Sequence, residues 1–144
     1  MNRVTVSVLS PVWLDSAHFD DDGILKDCHV DVNQTQSGVV FWPKPVSLHR
    51  MSLAFMDQRI KYKDSLVVAA TVRKAWAVQM SAYIGFDLHI AETPSGRRLR
   101  MAIESGECPP MSFTFDVNVA NIPRDPEEFK TVAEFVRLGD LSIG

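Results

Sequence analysis

The sequence predicts an α+β domain that is mostly β, and three observations carry that expectation. Apolar residues recur mainly at every second position, Pro and Gly clusters punctuate the runs, and one segment near the C-terminus switches to helical spacing behind a strong cap. At 144 residues, 46% hydrophobic and 23% charged, the chain is sized for one core. It is read as a single domain over 1–144.

Val4, Val6 and Val8 alternate with Arg3, Thr5 and Ser7 as in a half-buried strand. The stretch "SAHFDDDGILKD" supplies a turn, and Cys28, Val30 and Val32 share one face of a second strand. An N-terminal hairpin over 1–34 follows. The run "GVVFW" reads as a short strand ended by Pro43 and Pro45, which cannot donate to a ladder. In "VSLHRMSLAF", Met51, Leu53 and Phe55 alternate with Arg50, Ser52 and Ala54; the basic connector "MDQRIKYKD" leads to "SLVVAATVRK", where Val68, Ala70 and Val72 alternate with Thr71 and Arg73.

Through 66–82 a helix is the rival, because alanine favours helices, but Val72, Trp76, Val78, Met80, Ala82 and Ile84 fit period two better. In "FDLHIAETPSGRRLRMAI", Pro94-Ser95-Gly96 reverses the chain and Leu99, Met101 and Ile103 return, giving an inserted hairpin over 86–104. The last strand points Phe113, Phe115, Val117 and Val119 one way and Ser112, Thr114, Asp116 and Asn118 the other. Together these strands make an antiparallel meander sheet over 38–119. A helix over 125–138 closes the order: Asp125 caps it, Pro126 suits its first position, Arg137 and Gly139 mark its end, and Phe129, Val132, Ala133 and Val136 form an apolar stripe that packs on the sheet.

The search for chemistry is mostly exclusion. No secretory leader and no membrane-length apolar run is read, so the chain is expected to be soluble and intracellular when made. Cys28 and Cys108 form no CxxC, and His18, His29, His49 and His89 occur singly, without metal-ligand spacing. Asp20-Asp21-Asp22-Gly23 lacks the spaced ligands of a calcium loop. His18 with Asp15 and Asp20 is an acid–base cluster on one reading and a polar loop on the other, which is the commoner case. No GxSxG, GxxxxGK or GxGxxG is present. The expectation is no enzyme, no metal and no cofactor.

Charge is uneven along the chain. Residues 1–49 carry −3, residues 50–74 carry +4 and residues 75–144 carry −4, within a net −3. The basic segment holds Arg50, Arg59, Lys61, Lys63, Arg73 and Lys74; it is either a solvated set of turns or a local phosphate-binding surface.

Element order, "SGVVFW", the unit "HRMSLAFMDQRIKYKDSLVVAATVRK" and the strand-to-helix passage "FTFDVNVANIPRDPEEFKTVAEFVRLGD" together resemble the coat proteins of the single-stranded RNA bacteriophages, the levivirus type. The resemblance implies a capsid protein, found in the virion and assembled in the host cytoplasm. It implies a homodimer whose C-terminal helices cross the partner's sheet through Phe129, Val132, Ala133 and Val136, and a self-assembled icosahedral shell. It implies single-stranded RNA on the opposite sheet face, where strand alternation offers Arg50, Ser52, Thr71, Arg73, Thr114 and Asn118, beside Arg59, Lys61 and Lys63 of the basic connector. Cys108 in "SGECPP" sits where some family members carry loop cysteines that link subunits. Two other classes stay open: a ligand-binding β-barrel or sandwich with a pocket lined by Trp13, Trp42 or Trp76, and a small phage inhibitor or immunity-type partner using the acidic N-terminal loop.

Overall fold

A computed structural model describes residues 2–14, 17–36, 45–78, 82–119 and 134–144. In chain order its elements are β1 (Asn2–Pro11), β2 (His18–Phe19), β3 (Ile24–Asp31), α1 (Pro45–Phe55), β4 (Arg59–Tyr62), β5 (Val68–Val78), β6 (Tyr83–Ile90), α2 (Pro94–Glu104), β7 (Pro110–Val119), β8 (Glu134–Leu138) and β9 (Leu141–Ile143). The α+β, mostly β class holds. The strands form one sheet in the order β1-β7-β9-β4-β5-β6-β3-β2, with β8 paired to β7. It is a mixed sheet rather than a meander, because β4 runs parallel to β9.

Its inward face follows from alternation. Val6 and Val8 of β1, Cys28 and Val30 of β3, Ile60 of β4, Val72 of β5, Ile84, Phe86 and Leu88 of β6, and Phe113, Phe115 and Val117 of β7 are all buried in one cluster. Helix α1 packs over β5 and β8. It inserts Phe55 between Phe86, at 6.4 Å, and Phe113, at 5.3 Å edge-on. Burying such side chains stabilises the fold by roughly 1.5–3 kcal/mol each.

Several expected elements are different in the structure. The N-terminal hairpin does not form between the first two long strands: β1 lies along β7 and β3 along β6, while the short β2 makes the hairpin with β3. The Asp-rich turn between them is held by the Asp20 carboxylate, which accepts from the N–H groups of Asp22 and Ile24, both at 2.9 Å. The segment read as the strand "VSLHRMSLAF" is helix α1. Leu48, Met51 and Phe55 are buried at helical spacing, whereas Leu53, which period two put with them, is 53% exposed.

The return half of the 86–104 hairpin is helix α2. Thr93 caps it, with Oγ1 accepting from the N–H of Gly96 at 3.0 Å and Pro94 in the first turn. Leu99 and Ala102 face inward and Met101 is 68% exposed. The rivalry over 66–82 resolves as strand for 68–78. Residues 134–138, assigned to the C-terminal helix, are strand β8, antiparallel to β7. The rest of that helix, including Phe129, Val132 and Ala133, and the "GVVFW" strand lie outside the described residues.

Candidate functional site

Strands β7, β9 and β4 line up polar side chains on the outer face of the sheet. Met111 and Phe113, Leu141 and Ile143, and Ile60 and Tyr62 all point inward, so Ser112, Ser142 and Lys61 between them point outward. Register then sets them abreast: Ser112 pairs with Ser142, and Ser142 with Lys61. Adjacent strands are about 4.8 Å apart, so the four-carbon stem of Lys61 spans the step to Ser142, with Ser112 one strand further on. Ser112 and Lys61 are exposed and Ser142 is half-buried. The three strand ends are tied together by the Lys63 N–H donating to Ile143 O at 2.7 Å and the Gly144 N–H donating to Pro110 O at 2.9 Å.

Past the end of β4 opens a cleft of about 800 Å³, lined by Tyr62, Lys63 and Ser65 on one side and Arg98, Met101 and Ser105 on the other; Ser112, Ser142 and Lys61 are not in its lining. Leu66, 86% exposed, and Val67, 50% exposed, follow that first wall in sequence, and Met101 on the second is 68% exposed. A hydroxyl pair next to an amine has the parts for acyl transfer: a nucleophile, a proton carrier and a base. The histidines stand elsewhere, His18 on β2, His29 on β3, His49 on α1 and His89 on β6. Among the described residues, no three His, Cys, Asp or Glu side chains gather to hold a metal ion.

No family model matches the chain, and no curated protein matches it. Among solved structures, the bacteriophage T4 capsid assembly protease gp21 aligns over 100% of this chain and 100% of its own, with a TM-score of 0.52 and 10% identity. This chain shares the fold of a phage capsid assembly protease. The matched protein comes from a phage, but it is not a coat protein of the single-stranded RNA phages. The two units that carried the coat resemblance are also changed in the structure, one beginning with helix α1 and the other ending in strand β8.

The residues expected to meet RNA divide into groups. Arg59, Lys61, Thr71 and Thr114 lie on the outer face, with Arg59 opposite Thr71. Arg73 is exposed at a bulge in β5. Lys63 continues past β4, its ammonium 5.2 Å from the Tyr62 ring centroid. Asn118 pairs with Arg3 and Glu134 at the far end of β7. Arg50 and Ser52 are not on the sheet at all: both belong to α1, and Ser52 is buried, donating to His49 O at 2.6 Å. Val136, from the expected dimer stripe, is half-buried on β8.

Of the two thiols, Cys108 is exposed and Cys28 fully buried. Burial first, then the nearby carboxylates of Asp87 and Asp27, push the Cys28 thiol up to about 12, which leaves it no thiolate chemistry near neutral pH. Sequence reasoning placed Ser112 on the outward side of the last strand but did not pair it. Ser142 lay unread in "DLSIG", because the pairing of β9 between β7 and β4 is a long-range fact with no local signal.

Proposed function

We propose that this chain acts in the assembly of a bacteriophage capsid, as a peptidase whose substrate is a polypeptide and whose working site is the row Ser112, Ser142 and Lys61. The observation that carries the reading is the full-length likeness of fold to a capsid assembly protease. The row supports it with chemistry. Ser112 Oγ attacks a peptide carbonyl, its proton passes by way of Ser142 to the Lys61 amine, the amine half of the peptide leaves with a proton, and water releases the acyl half from Ser112. The cleft past the end of β4, with Met101 exposed on its wall, is open enough for an extended segment of unfolded chain.

The test is cleavage of an unfolded protein substrate such as casein, and of a phage capsid-protein precursor, by wild type and Ser112→Ala. Ser112 is exposed, so the variant keeps the fold. Loss of about a thousandfold or more in rate is expected. Equal rates in the two proteins, or no cleavage by folded wild type, would sink the reading.

A further inference from the structure

Strand β5 carries a bulge between Val72 and Lys74, which reverses the phase of everything after it. Before the bulge Ala70 and Val72 face inward; after it Ala75 does, so Trp76 is thrown onto the outer face. There it pairs with Gly85, and Gly85 with His29. A Cβ at Gly85 would overlap the Trp76 indole, so the ring lies flat on the bare backbone of β6. Two residues along, Tyr83 meets the ring of His29 at 5.5 Å between centroids. Trp76, Tyr83 and His29 are each half-buried, leaving part of each ring to solvent.

Cations border this aromatic floor. Lys74 holds its ammonium 5.9 Å from the Trp76 ring centroid, and Arg73 is exposed beside it. Two carboxylates border the floor and both are engaged: Asp87 is 4% exposed and accepts from the Asp27 N–H at 3.1 Å and from Lys26 Nζ at 3.3 Å, and Asp31, across from Tyr83, accepts from the Asn33 N–H at 2.8 Å and from Gln34 Nε2 at 3.3 Å. The surface therefore shows aromatic faces and positive charge together. That pairing fits unstacked bases on a phosphate backbone; a duplex keeps its bases stacked and offers no faces to these rings.

We propose that Trp76, Tyr83 and His29, with Arg73 and Lys74, form a stacking platform for single-stranded nucleic acid. It uses Arg73 of the expected RNA set, but it is centred on aromatic residues that set did not contain. It stands apart from the peptidase reading, because the platform is on β3, β5 and β6 and the serine row on β4, β7 and β9.

The test is fluorescence anisotropy of the full chain with a labelled oligo(U) of about 12 nucleotides, and with a duplex of equal length, at about 50 and about 200 mM salt. The single strand binds more tightly than the duplex, and binding weakens with salt. Trp76→Ala loses about tenfold in affinity while Trp76→Phe retains it, and Arg73→Glu with Lys74→Glu abolishes binding. Absence of binding by wild type at the lower salt overturns the proposal, as does equal affinity for duplex, or salt-insensitive binding of the kind a sugar ligand would show. Should Trp76→Ala fail to fold, the exposed Arg73 and Lys74 pair decides: unchanged affinity in that variant overturns it too.

Discussion

Asp116 shows how one outward residue is drawn into the structure. It lies on β7 and is 6% exposed. Thr5 Oγ1 donates to its Oδ1 at 2.7 Å, and Arg137 Nε to its Oδ2 at 2.7 Å. The Thr5 hydrogen bond first, and Arg137 second, hold its carboxyl below the ordinary carboxylate range. A folded value below the unfolded one, about 3.9, means the stabilisation is fully present above that pH and is lost as pH falls through the folded value. Asp116→Asn is expected to cost about 1–3 kcal/mol at pH 7. Thermal melts from pH 7 to pH 2 should show the gap to wild type narrowing below about pH 4; a gap constant with pH would contradict this. Arg137 reads in the sequence as a helix-end cation. Its real partner, 21 positions away, has no local signature.

Among the elements, strands with one clean apolar face were legible and the two helices were not. The segments of β1 and β7 satisfy period two alone. In "VSLHRMSLAF", Met51 and Phe55 satisfy both periods, and only packing against Phe86 and Phe113 chooses between them. "TPSGRRLRMAI" is similarly double: Thr-Pro-Ser-Gly is a turn signal and also a helix start. What decides is Thr93, which accepts from Gly96 N–H and donates to Val68 O at 3.1 Å, tying the helix to β5. Thr93→Ala should lower stability by about 1–2 kcal/mol in urea unfolding, and no change in the midpoint would remove the cap from the account. The β5 bulge was illegible for a different reason. Arg73 and Lys74 are both exposed, and a pair of polar residues does not say which face the next one takes.

At the scale of the whole molecule, the class was readable and the strand order was not. Alternation says which face of a strand is buried but not which strand lies beside it, and here the ten-residue β1 finds its partner in β7, with Asn2 against Val119. The three-residue β9 is the seam, pairing with β7 on one edge and β4 on the other. Removing residues 141–144 should therefore cost the cooperative thermal transition, followed by circular dichroism. A truncated chain that melts like wild type would show that the seam is dispensable.

The same seam brings Ser142 between Ser112 and Lys61, so the site exists only because the sheet is ordered this way. Labelling with a fluorophosphonate, located by peptide mass spectrometry, tests that assembly most directly. The expected result is a single adduct on Ser112, absent from Ser112→Ala and strongly reduced in Lys61→Met. A folded wild-type chain that takes up no label, or labels equally with Lys61 replaced, would contradict the claim that this row is a working nucleophile.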